Sequence, residues 1–144
     1  MHFIDFLYYA SMLLVIIHIM IHDMRWMMIE NHMLLLMVII HIMFISYQDA
    51  FQFDSVIESS IIFIFLICLR WFMNTRYKKD TLGFGDIKLL TLITFMMSLE
   101  TITYVIFFAS LITLVVMLML NRHKVPFAPG ILLSWIGVYV WLYI

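Results

Sequence analysis

The chain has 144 residues, of which 66% are hydrophobic and only 12% charged, and its formal net charge is −1. Soluble domains carry about 25% charged residues, so this composition excludes one, and no basic stripe with interleaved aromatics is present for binding nucleic acid. A single cysteine, Cys68, excludes an intrachain disulfide and an all-cysteine zinc site.

A membrane-spanning helix needs about 20 apolar residues, fewer where the bilayer thins. Polar clusters cut the chain into apolar segments at 3–22, 33–47, 56–73, 87–98, 101–120 and 127–144. The expected fold is therefore all-α, a polytopic membrane helical bundle of about six transmembrane helices. It forms one domain over 1–144, since no Gly/Ser or Pro-rich linker interrupts it. The first segment opens MHFIDFLYY without a positive n-region and reads as a retained helix, not a cleaved signal. The peptide VIIHIM occurs at Val15–Met20 and again at Val38–Met43, an echo too short for a structural repeat. The third segment contains Cys68, read as a small core side chain. Residues 87–120 are too long for one span, because 34 residues would run about 51 Å against a hydrocarbon core of about 30 Å. Ser98-Leu99-Glu100-Thr101 is the available polar break, and the short 87–98 piece reads as a half-helix buried among the others. Trp26, Trp71, Trp135, Trp141 and Tyr143 fall near the expected boundaries, where amphipathic rings collect.

Charge sets an orientation. Arg25, Arg70, Arg76, Lys78, Lys79, Lys88, Arg122 and Lys124 all lie in or beside the first, third and fifth loops. The second loop carries Asp49 and Asp54 with Glu58 just beyond, and the fourth only Glu100. Cytoplasmic loops collect Lys and Arg, so both termini are expected outside, with the first, third and fifth loops in the cytoplasm.

Of the acids, Asp5, Asp49, Asp54, Glu58 and Glu100 read as a solvated outer rim, and Glu30 and Asp80 as ordinary cytoplasmic-loop residues. Asp23 and Asp86 remain, each at the cytoplasmic edge of an apolar segment. A carboxylate drawn into the bilayer costs roughly 2.5–3.5 kcal/mol, so such a residue either caps a helix at the water boundary or does chemistry. Gly83 and Gly85 in LGFGDIKLL favour chemistry: they admit backbone conformations closed to other residues and close approach of another chain.

GFGDIKLL resembles the GxGD-x-K signature of the prepilin peptidases, membrane aspartic proteases that process type IV prepilins. Asp23-Met24-Arg25-Trp26-Met27-Met28-Ile29-Glu30-Asn31 is similar to that family's D-x-R-x-x-x-I-P-N segment, with Glu30 in place of proline, a change expected to alter a turn. Val125-Pro126-Phe127-Ala128-Pro129-Gly130 resembles its I-P-F-[GA]-P-F, with Gly130 in place of the last phenylalanine. The three matches run in the family's order across most of the chain. The resemblance implies catalytic Asp23 and Asp86, supported by Gly83, Gly85, Lys88, Arg25, Asn31, Pro126 and Pro129. It further implies cleavage of a prepilin or pilin-like pseudopilin, for pilus assembly, competence or secretion, at the cytoplasmic face of the cell membrane. Two carboxylates sharing a site titrate as a unit: one activates water, the other stabilises the oxyanion and protonates the leaving amine. Lys88 and Arg25 would tune the aspartates, touch substrate or anchor at headgroups. The basic run Arg76-Tyr77-Lys78-Lys79 reads as a topology and lipid anchor, since it would repel a basic leader. With one cysteine and a minimal first loop, no zinc or methyltransferase domain is expected, nor any cofactor. The partners implied are the prepilin substrate and membrane lipid, with no nucleic acid.

Three other readings compete. His18 and His22 share a helix face, and with His41 they make a small metal-binding or metal-transporting protein conceivable. Presenilin-like GxGD proteases resemble the chain only at the GxGD motif. A non-enzymatic membrane subunit would use Asp86 as a helix cap, and would tolerate asparagine at both positions.

Overall fold

A computed structural model describes residues 3–49, 51–78, 82–121 and 125–143, with no side-chain description of Tyr143. Lys79, Asp80, Arg122 and Lys124 of the charge pattern lie outside the described residues. Six α-helices follow one another: α1 Phe3–Trp26, α2 Asn31–Tyr47, α3 Phe53–Tyr77, α4 Phe84–Met96, α5 Leu99–Leu120 and α6 Ala128–Tyr143. The chain is an all-α bundle. Three helices, α1, α3 and α5, are long and apolar enough to cross a membrane, and α2 and α6 are shorter apolar helices.

The helices end where side chains or left-handed residues stop them. Lys78 and Asn121 adopt positive φ after α3 and α5, and Met27 does so after α1, with its N–H bonded to the Asp23 carbonyl at 2.9 Å. This is the left-handed C-terminal cap usually made by glycine. The expected break at Ser98 is present. Its side chain accepts from the Thr101 N–H, and the Glu58 carboxylate reaches across from α3 to accept from the Leu99 N–H at 2.7 Å. Glu58 is thus a cap for α5 in trans and not merely a solvated rim residue.

Helix α4 has 13 residues, about 20 Å at 1.5 Å per residue, too short to span about 30 Å. It is the bundle's central element, packed on α2, α3, α5 and α6, with Ile87, Leu89, Leu90, Leu92, Ile93 and Thr94 all buried. The half-helix expected from the sequence is therefore enclosed by protein. Helix α1 buries Met12, Val15, Ile16, Ile19 and Asp23, a helical stripe that carries the aspartate onto the same face as the core residues. Two burial expectations are corrected. Cys68 is exposed on α3, and Trp135, expected at a boundary, is 8% exposed within the core. The remaining outward faces carry Leu, Ile, Phe and Met in quantity, from Leu13 and Leu14 on α1 to Leu118 and Met119 on α5, as an apolar solvent requires.

Candidate active site

The C-terminal ends of α1, α3 and α5 and the N-terminal ends of α2, α4 and α6 lie at one end of the bundle. Three contacts tie the α1–α2 region to the starts of α4 and α6. Asp23, 4% exposed, accepts a hydrogen bond from the Ala128 N–H at 3.2 Å. Gly85 lies so close to Ile29 that a Cβ added to it would stand 3.0 Å from the isoleucine Cβ. The Lys88 ammonium donates to Asn31 Oδ1 at 2.8 Å and stands 4.7 Å over the Phe84 ring.

Asp86 occupies the first turn of α4, half-buried. Its carboxylate folds back over Gly83, where a Cβ would meet Oδ2 at 2.7 Å. Asp23 is the charged group that acts on it electrostatically. The two aspartates, far apart in sequence, thus lie at the same end of the bundle and interact electrostatically. They reach it without direct packing of α1 on α4: among the described residues these helices share no close backbone approach, and both pack instead on α2 and α6. At this end the start of α6 bonds Asp23, and the α1–α2 turn meets α4 at Gly85.

The glycines act by absence of a side chain. Gly83 precedes α4 with φ −63, Gly85 is helical, and no described glycine has positive φ. The expectation of unusual backbone conformations is corrected, and close approach is the property used. The second proline motif is explained by the start of α6. Pro129 sits in its first turn, where a missing N–H costs no intrahelical bond, and Ala128 just before it offers its N–H to Asp23. Gly130, which departs from the expected phenylalanine, packs against α5. A Cβ there would stand 2.6 Å from Thr113 Oγ1 and 3.1 Å from the Ala109 carbonyl oxygen. Arg25 is exposed and, among the described residues, has no hydrogen-bond or ion-pair partner.

Glu30, expected to be an ordinary loop residue that alters a turn, has three close partners. Its carboxylate lies 3.2 Å from His18 Nε2, 3.1 Å from His22 Nε2 and 3.0 Å from His32 Nε2. Desolvation pushes the Glu30 carboxyl up. The His18 hydrogen bond and the charges of His22, His32 and His18 together outweigh it and hold the group below the usual carboxylate range. The reading that joins His18 and His22 to His41 fails on geometry. His41 bonds Tyr8 at 2.9 Å, and Tyr8 precedes His18 on α1 by about 15 Å of helix. Among the described residues no group of three or more His, Cys, Asp or Glu is arranged to hold a metal ion. A cavity of about 480 Å³ lined by Tyr8, His41, Phe44, Trp135 and Tyr139 lies at the bundle's other end. No carboxylate lines it.

The model of the type IV leader peptidase family matches residues 10–118. The chain belongs to that family. No curated protein and no solved structure matches it. Membership makes the chain a peptidase, and with its apolar helices a membrane protein. The matched region contains Asp23, Ile29, Asn31, Gly83, Gly85, Asp86 and Lys88, and it ends before the α6 start that binds Asp23.

Proposed function

We propose that this leader peptidase family member is an aspartic endopeptidase with Asp23 and Asp86 as its catalytic pair. Its substrates are prepilins or pilin-like pseudopilins, cut at the cytoplasmic face of the cell membrane. The observation that carries the reading is that two carboxylates from separate helices act on each other electrostatically at one end of the bundle, one of them nearly excluded from solvent. Two carboxylates in one site hold one proton between them. The ionised member takes a proton from water as the water attacks the scissile carbonyl. The protonated member donates to the developing oxyanion and then passes its proton to the leaving amine.

The surroundings suit these steps. The α6 N-terminus presents its Ala128 N–H and the positive end of its dipole to Asp23, which steadies a negative charge there. Exposed Gly83, beside the Asp86 carboxylate, leaves room for an extended substrate strand. Arg76, Lys78 and Lys88 stand at this end of the bundle, consistent with its facing the cytoplasm.

The test is cleavage of a prepilin whose leader ends in glycine, by membranes carrying wild type, Asp23→Asn or Asp86→Asn, read as loss of leader mass. Wild type cleaves, and each variant is slowed by 10³-fold or more, on the order of 4 kcal/mol in the barrier. Cleavage by all three would remove both aspartates from the chemistry.

A further inference from the structure

The connection between α1 and α2, residues 27–30, has to do two things. It returns the chain at the end of α1 through a left-handed Met27, φ 52, and it presses Ile29 onto Gly85 beside Asp86. In the motif that the segment resembles, proline would occupy position 30. Here the backbone of Glu30 has φ −74 and ψ 125, the conformation a proline holds. Glutamate lacks the ring that enforces it, so something else must.

That something is the side chain. Glu30 gathers His18 and His22 from α1 and His32 from α2 around one carboxylate, fastening the turn to both helices it joins. The His22 ring decides the protonation state. Its Nδ1 lies 2.9 Å from the Met28 carbonyl oxygen, which can only accept, so Nδ1 carries a proton. Its Nε2 lies 3.1 Å from Glu30 Oε1. In a neutral ring that nitrogen would turn a lone pair toward a carboxylate, whereas an imidazolium makes both contacts attractive. Of the other described ionisable groups at this end, Asp23 acts on the His22 charge electrostatically. Lys88 is engaged with Asn31, Asp86 interacts electrostatically with Asp23, and Arg25 is exposed.

We propose that Glu30 is a positioning residue, a histidine-held clamp that replaces proline in the α1–α2 turn and sets Asp23 against Asp86 while His22 carries a proton on each ring nitrogen. The part concerning Asp23 and Asp86 rests on the catalytic assignment above. The clamp itself does not.

The test therefore has two arms. In the first, a Cys68→Ser background carries Ile29→Cys and Gly85→Cys, whose Cβ atoms would start near disulfide distance. The rate of oxidative cross-linking is compared with Glu30 retained, Glu30→Ala and Glu30→Pro, at about pH 5.5 and about pH 8.5, either side of the ordinary histidine range. Ratios at each pH cancel the common dependence on thiolate. The Glu30 and Glu30→Pro proteins cross-link alike at the lower pH. At the higher pH the Glu30 protein falls behind by fivefold or more, and Glu30→Ala lags at both. Equal rates for Glu30 and Glu30→Ala at both values would overturn the clamp. In the second arm, leader cleavage by the wild type drops about tenfold more between the two pH values than cleavage by Glu30→Pro. Parallel profiles would overturn the link to the aspartates. If wild type cleaves no leader substrate, the catalytic assignment fails while the cross-linking arm still decides the clamp.

Discussion

Replacing Gly85 by alanine separates positioning from folding. The new Cβ would lie 3.0 Å from the Ile29 Cβ, 3.3 Å from its Cγ1 and 3.4 Å from its Cδ1. Carbon atoms rest at about 3.5–4.0 Å. The nearest atom is a Cβ fixed to the backbone, so a rotamer change cannot relieve the clash. The α1–α2 turn and α4 must separate by roughly 0.5–1 Å. Overpacking of this kind costs about 1–3 kcal/mol, and the gain from replacing glycine in a helix, about 1 kcal/mol, offsets part of it. The fold should therefore lose no more than about 2 kcal/mol. Catalysis is more sensitive, because a misplacement near 1 Å can cost on the order of 10²-fold, or about 2.7 kcal/mol in the barrier. Single-turnover leader cleavage and the thermal midpoint in detergent would be measured together, with Gly137→Ala beside them. Gly137 is helical, and a Cβ there meets nothing within 4 Å, so that variant keeps its cleavage rate and melts at the same temperature or higher. The expected outcome is a large fall in rate for Gly85→Ala with a small fall in midpoint. A Gly85→Ala protein that cleaves like wild type would refute the claim that the Ile29–Gly85 contact spaces the aspartates.

Other substitutions probe the frame. Glu58→Ala removes the acceptor of the Leu99 N–H and should cost about 1–2 kcal/mol, seen as a lower thermal midpoint with an unchanged cleavage rate at permissive temperature. Gly130→Ala forces α5 and α6 apart and should cost about 1–3 kcal/mol. Thr113→Ala should recover part of that loss in a double-mutant cycle. Alone it should be neutral or stabilising, because the Thr113 hydroxyl has no hydrogen-bond partner among the described residues. Acid should act through Glu30 with a definite sign. A carboxyl held below its usual range contributes stability that is complete above that range and lost as pH falls through the lowered value. On the acid side, thermal midpoints of wild type and Glu30→Gln should therefore converge below the ordinary carboxylate range, apart from the loosening of the clamp expected at about pH 8.5, above the ordinary histidine range.

Composition and residue order were enough to place six helices, the break at Ser98, the half-helix after Gly85 and the candidacy of Asp23 and Asp86. Those features are legible because water and hydrocarbon differ so strongly for polar groups that charges, turns and apolar runs order themselves along one dimension. Which face of each helix meets protein was not legible. Lipid and protein interior are equally apolar, so hydropathy could not tell that Cys68 points out and Trp135 points in. Nor was it legible that α1 and α4 meet through α2 and α6, since helix adjacency depends on side-chain fit and not on order in the chain. Glu58 capping α5 from α3, and Glu30 collecting imidazoles from two helices, were visible only once separate segments were brought together. A carboxylate at the edge of an apolar run has the same composition whether it is solvated or bound. Its partners are what distinguish the two, and tertiary structure supplies them.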